Sequence, residues 1–261
     1  PGIDAWKEGG TPWLNAIASK LHVRHPNLPP ASAQDPFLHT QGGPLRLVFV
    51  GSHFGRKGGP VAVRMAELAH EYGLNLHIDI VSDLTTGKAS WVDPLTPDFF
   101  QPYNSKLNTL RNVKFHGGQP NDRVIALLKQ SHFSLLPTFS DTFGFSAIES
   151  MANHVPVIAT TQGALPEFIN SQNGILLHLP TNEIGEWRES DRQDRESAAY
   201  ANLFSSEIER LAREALLALQ PYADCSPAYM ALRKAAYTCA ASMFNSENAA
   251  TFWDEFYMNA L

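Results

Sequence analysis

Residues 137–160 read Pro137-Thr-Phe-Ser-Asp141-Thr-Phe-Gly144-Phe-Ser-Ala-Ile-Glu149-Ser-Met-Ala-Asn-His154-Val-Pro156-Val-Ile-Ala-Thr160. A short apolar run, Phe133 to Leu136, feeds this stretch and suits a buried strand. A Ser/Asp/Thr loop follows, Gly144 stands where a short helix begins, and Val155 to Ala159 forms a second buried strand. A helix N-terminus presents unpaired N–H groups and partial positive charge, so this junction suits an anionic or hydroxyl-rich ligand. Asp141 and Glu149 bracket the junction, and carboxylates so close to apolar strands need partners.

The same alternation extends outward in both directions. Arg46-Leu-Val-Phe-Val50 is a run of strand formers ending in Gly51. Pro60, at a first helical position, opens a helix to Tyr72 that Gly73 ends, with Val61, Met65, Leu68 and Tyr72 at helical spacing. Leu76, Ile78 and Ile80 alternate as a strand, whereas residues 82–111, rich in Thr, Pro and Asp, read as a long surface excursion. Val113 to Phe115 is a short strand before Gly117-Gly118, and Asn121 caps a helix carrying Val124, Ile125, Leu127 and Leu128. Beyond the opening stretch, Ala164 to Ile169 makes a short helix and Asn173-Gly174 turns into a strand over Ile175–Leu177. This order predicts an α/β fold, a Rossmann-like parallel sheet flanked by helices, with ligands at the carboxyl ends of the strands. Gly51 and Asp141 both lie just past strand ends.

The flanks are less regular. Residues 1–44 read as an approach segment, with a short helix over Trp13–Leu21, a short strand over Leu21–Val23, and a linker punctuated by prolines from His25 to Pro44. The charged stretch 181–197 reads as a solvated loop. The tail is helical over Tyr200–Leu219, Ala228–Phe244 and Asn248–Met258.

A chain of 261 residues buries a sizeable core. Its net charge of −6 argues against nucleic acid as a partner. No apolar run approaches bilayer length and no secretory leader pattern opens the chain, so no transmembrane segment and a cytoplasmic location are expected. Cys225 and Cys239 lack metal-site spacing and read as ordinary buried thiols. The first residue is Pro1 rather than Met, and a fragment or processed piece is the expectation.

Two places carry candidate chemistry. Val50-Gly51-Ser52-His53-Phe54-Gly55-Arg56-Lys57-Gly58-Gly59 is a glycine-rich turn between strand and helix. Glycines allow close backbone approach to a phosphate, and Arg56 and Lys57 add full positive charge. The turn is neither of the common dinucleotide or triphosphate signatures, and by itself it fits a plain turn with exposed basic residues equally well. The second place is the Asp141/Glu149 pair, eight apart, which can face one cleft and accept paired hydrogen bonds from sugar hydroxyls. On spacing alone an N-capping Asp and a surface Glu is the better reading.

Taken together these stretches resemble the donor-binding half of a GT-B glycosyltransferase of the large retaining family four. The resemblance rests on Val50-Gly51, Lys57-Gly58, Phe115-His-Gly117, Pro137-Thr138, Asp141 and Glu149 around Phe143-Gly144-Phe145, Glu149-Ser-Met-Ala152, Pro156-Val-Ile-Ala159, Gly163 through Pro166-Glu167, and Asn173-Gly174, in order across residues 45–180. So many matches in order displace both bland readings.

The resemblance implies a donor of the nucleotide-diphosphate sugar class, transfer with retention and no essential metal. Lys57, with Arg56, would contact the diphosphate in the turn of Gly51 and Ser52, and Glu149 would hold the ribose hydroxyls. Asp141, Thr138 and the backbone of Phe143, Gly144 and Phe145 would hold the sugar and diphosphate, and the backbone around His116 and Gly117 would lie near the base. It further implies that residues 1–44 close an N-terminal, acceptor-binding domain and the linker from it, that 45–197 bind the donor, and that the helices of 198–261 pack there or return to the missing domain. That domain is also where a peripheral membrane association would reside. The chain departs from the family pattern at Ser52, where a basic residue is usual, at Asp141, one methylene shorter than Glu, and at Asn153-His154. His154 reads as structural, and His53 as equally structural or functional. Other GT-B activities, such as a nucleotide-sugar epimerase, and a degenerate binding module are the alternatives.

Overall fold

A computed structural model describes residues 17, 20–35, 43–223 and 226–259. The expected helix around Trp13 and the thiol of Cys225 lie outside the described residues.

Six parallel strands form one sheet in the order β3-β2-β1-β4-β5-β6. They are β1 (Leu45–Val50), β2 (Leu76–Val81), β3 (Val113–Gly117), β4 (Phe133–Leu136), β5 (Val157–Thr160) and β6 (Gly174–Leu177). Alternation explains β1 and β2: Leu45, Leu47, Phe49, Leu76, Ile78 and Ile80 enter one core, while Val48 and Val81 point to the opposite face. β4 and β5 are buried along their whole length, as central strands covered on both faces must be.

The helices follow the strands in sequence. Helix α1 (Gly59–Leu68) continues as a 3-10 turn to Tyr72, and Gly73, at φ 67°, stops it as the sequence predicts. Helix α2 (Gln101–Lys106) and helix α3 (Asn121–Leu128) follow, then α4 (Phe145–Ala152) and the short α5 (Leu165–Phe168). In the tail, α6 (Ala198–Leu219) packs on the sheet through Tyr200, Phe204, Ile208 and Leu211, and α7 (Pro227–Met243) joins a second core through Ala236 and Ala240. Helix α8 (Ser246–Met258) buries no residue.

Four expectations need correction. Leu21 to Val23 is not a strand. The excursion after β2 is not a surface loop: Ser90, Val92, Asp93 and Phe100 are buried, and α2 lies within it. The mixed Thr/Pro/Asp composition hides this because the anchoring contacts are distant in sequence. Residues 181–197 carry exposed charges, yet Trp187 within them is buried against Phe139 and Phe204. Finally, Asn121 does not cap α3; Pro120 holds the cap position with no side-chain bond.

The strand order turns around between β1 and β4, which are neighbours in the sheet although far apart in sequence. Connections leave them in opposite directions, opening a crevice at their carboxyl ends. The turn after β1 and the loop after β4 therefore meet there.

Candidate functional site

The two loops interlock at that crevice. Thr138, fully buried, sets its hydroxyl 3.0 Å from the Arg56 carbonyl and 2.8 Å from the Ser140 carbonyl, while its own carbonyl accepts from the Thr160 hydroxyl at 2.5 Å. The Phe139 amide donates to Arg56 O at 2.8 Å. Gly58, at φ 86°, lies so close to Pro137 that a Cβ would stand 2.1 Å from the Pro137 carbonyl. Thr138 thus acts through backbone contacts that join the loops.

Charge is concentrated in this joint. Lys57 Nζ and Asp141 Oδ2 form an ion pair of 3.0 Å, with side chains 19% and 7% exposed. The Lys57 stem runs across Gly51, where a Cβ would come within 2.9 Å of Lys57 Cδ. The Arg56 guanidinium donates to Ser140 O at 2.6 Å, and its Cζ stands 5.4 Å from the Trp91 ring centroid. His53 follows in the same turn; burial first, then the cations of Arg56 and Lys57, holds its imidazole below the usual histidine range. Ser52 is exposed and its carbonyl accepts from Thr85 N at 3.2 Å. Asp141 is a counterion to Lys57 and does not cap α4: Gly144, at φ 88°, occupies the cap position without a side-chain bond.

Helix α4 starts at Phe145, directly after the loop that carries Asp141, and its N-terminal end carries partial positive charge. Phe143 is stacked on Phe168 and meets Phe244 edge-on, which fixes the backbone before Gly144, while Phe145 is 55% exposed. Glu149, in the second turn, accepts from Asn121 Nδ2 at 3.0 Å. Asn121 is a partner that a capping assignment obscured.

His116 accepts at its carbonyl from Gln119 Nε2 at 2.6 Å. Its Nε2 lies 2.7 Å from Asp79 Oδ1, a buried carboxylate that also pairs with Arg46 at 3.2 Å. Gly117, at φ 67°, bends the chain there and accepts from Ser82 N at 3.1 Å. His154 is structural: it lies at φ 62°, stacks on Tyr237 at 4.2 Å and reaches Ser32 O at 2.9 Å. Cys239 is half-buried with its thiol on Phe168 O, and no cluster of three or more potential metal ligands occurs among the described residues.

The structure thus brings together Gly51, Arg56, Lys57, Thr138 and Asp141 at one joint, with Ser52 beside Gly51 in the turn, Gly144 and Phe145 following in the chain at the start of α4, and Glu149 a turn further along. His116 and Gly117 stand at the end of β3, across β2 from β1.

The family profile for "Glycosyl transferases group 1" matches residues 44–189. The chain is 26% identical over 157 residues to a D-inositol 3-phosphate glycosyltransferase of Corynebacterium aurimucosum, an alignment covering 60% of this chain and 35% of that protein. It is 28% identical over 152 residues to the protein of the same name from Nocardia farcinica, covering 57% and 32%. The chain thus spans about a third of the length of these curated relatives. Among solved structures, sucrose-phosphate synthase from Thermosynechococcus elongatus superposes with a TM-score of 0.55 at 20% identity, over 98% of this chain and 56% of that one. The Anabaena protein HepE in complex with UDP-glucose gives 0.52 at 17% identity, over 84% and 49%. On the profile match across more than half of its residues, the chain belongs to the group 1 glycosyltransferases, family four of the GT-B enzymes.

Proposed function

We propose that this chain is the donor-binding half of a retaining glycosyltransferase that uses a nucleotide-diphosphate sugar. The observation that carries the reading is the interlock of the glycine-rich turn with the Pro137–Asp141 loop, which gathers Arg56, Lys57 and the start of α4. Three sources of positive potential converging at one strand-end crevice suit a diphosphate.

In this reading Lys57 leaves Asp141 and engages the diphosphate, with Arg56 and the first-turn amides of α4 beside it. Glu149, already oriented by Asn121, accepts from the ribose hydroxyls. Asp141 and the Phe143–Phe145 backbone border the sugar, and the His116–Gly117 backbone borders the base. Transfer breaks the bond between the sugar's anomeric carbon and the diphosphate, whose oxygen departs with the electron pair. The basic groups stabilise that developing charge as the acceptor hydroxyl oxygen bonds the same face of the sugar and its proton passes to the departing diphosphate oxygen. Residues 45–197 form the donor domain. The acceptor belongs mainly to an N-terminal domain, against which the exposed Trp253, Phe256 and Tyr257 of α8 pack.

Titration calorimetry with UDP, GDP and ADP tests the reading on this chain. One of the three binds in the micromolar range, and Glu149→Ala weakens that ligand by about 1.5–3 kcal/mol, the value of a charge-assisted pair. Unchanged affinity in the variant contradicts the ribose assignment.

A further inference from the structure

Trp91 belongs to the segment between β2 and α2, and nothing in its sequence context marks it. Its side chain is 48% exposed, although Ser90, Val92 and Asp93 around it are buried. The backbone beneath it is pinned from several directions. The Tyr200 hydroxyl donates to Val92 O at 2.7 Å, and Arg195 donates to the carbonyls of Ser90 at 2.6 Å and Asp93 at 3.1 Å. The Val92 amide donates to the Ser90 hydroxyl at 3.2 Å. Asp93 accepts from Gly87 N at 2.8 Å and abuts Gly55, where a Cβ would stand 2.3 Å from its carboxylate. The segment is thereby fastened to the glycine-rich turn itself.

The Trp91 ring meets Arg56, whose Cζ lies 5.4 Å from its centroid. The same guanidinium donates through Nη1 to Ser140 O. Among the described residues the guanidinium makes no other hydrogen bond. A guanidinium has five N–H donors in one plane, so a ring near its carbon and a single carbonyl leave donors available to an anion.

We infer that Trp91 is a positioning residue: it holds the Arg56 guanidinium at the mouth of the glycine-rich turn, with N–H donors left for the diphosphate. This rests on the reading of that turn as the diphosphate site. A long side chain fixed before the ligand arrives loses less freedom on binding.

The test is a double-mutant cycle in the 261-residue chain, read by calorimetry with UDP, GDP and ADP and with uridine, guanosine and adenosine. Trp91→Ala weakens the bound diphosphate about three- to five-fold, as expected for a cation–π contact at a partly exposed site. It leaves the matching nucleoside unchanged, and Trp91→Phe restores most of the loss. Arg56→Ala weakens the diphosphate further, and adding Trp91→Ala to it changes nothing more. Additive losses, equal losses for nucleoside and diphosphate, or an unchanged affinity in Trp91→Ala overturn the role of Trp91. Failure of all three diphosphates to bind the unmodified chain overturns the donor-site reading and the inference with it.

Discussion

At the scale of single residues, the ion pair of Lys57 and Asp141 is the most informative contact. Its charges are largely removed from water and neutralise each other, so on the proposed reading a diphosphate competes with Asp141 for Lys57. Asp141→Asn removes the competitor. Affinity for the nucleoside diphosphate is expected to rise a few-fold, while the extra affinity contributed by the attached sugar falls. Calorimetry with a diphosphate and its nucleotide sugar reads both changes, and a rise for both ligands would remove the sugar from Asp141's role. Lys57 and Glu149 stand out in the sequence as candidates because each sits in a motif with several matching neighbours. Asn121 and Trp91 do not. The first is a common helix-start residue whose partner lies on another element, and the second sits in a segment without periodicity.

At the scale of elements, the start of α4 depends on Gly144. Its φ of 88° is one that L side chains rarely adopt, and a Cβ would come within 2.6 Å of Leu165 Cδ2. Gly144→Ala is expected to cost about 1–3 kcal/mol in urea unfolding and to weaken diphosphate binding by re-aiming the helix. The segment holding Trp91 makes a second prediction. Burial pushes the Asp93 carboxyl up to about 6, against the smaller lowering effects of Gly87 N, Ser90, Arg56 and Arg195. A raised carboxyl pKa adds stability that is present below the unfolded value near 4 and lost as pH rises through about 6. Asp93→Asn does not titrate. Measured against the parent in urea, it therefore gains on the order of 2 kcal/mol between pH 4.5 and pH 7.5. A difference that stays flat with pH would show that Asp93 does not titrate in that window. The strands and most helices are legible because hydrophobic period and Gly/Pro punctuation are local signals. The anchored segment after β2 is not, because Arg195, Tyr200 and Gly55 hold it from elsewhere in the chain.

At the scale of the molecule, strand order explains why two stretches more than eighty positions apart meet at one crevice. Loop–loop contacts join residues such as Thr138 and Arg56, separated by 82 positions, at the reversal between β1 and β4. Local pattern predicts each loop, but only the sheet order brings them together. The same sheet places the helical tail: α6 and α7 complete the cores, while α8 leaves Trp253, Phe256 and Tyr257 exposed beside Arg24, whose guanidinium lies 3.5 Å from the Phe252 ring. The central claim is that the crevice binds a nucleotide through its diphosphate. Its most direct measurement is the affinity of Lys57→Ala for UDP, GDP and ADP and for their nucleosides, against the parent. The account predicts that the bound diphosphate weakens at least ten-fold while its nucleoside binds as before, about 1.4 kcal/mol or more assigned to the phosphates alone. Equal weakening of both ligands, or none, would contradict it.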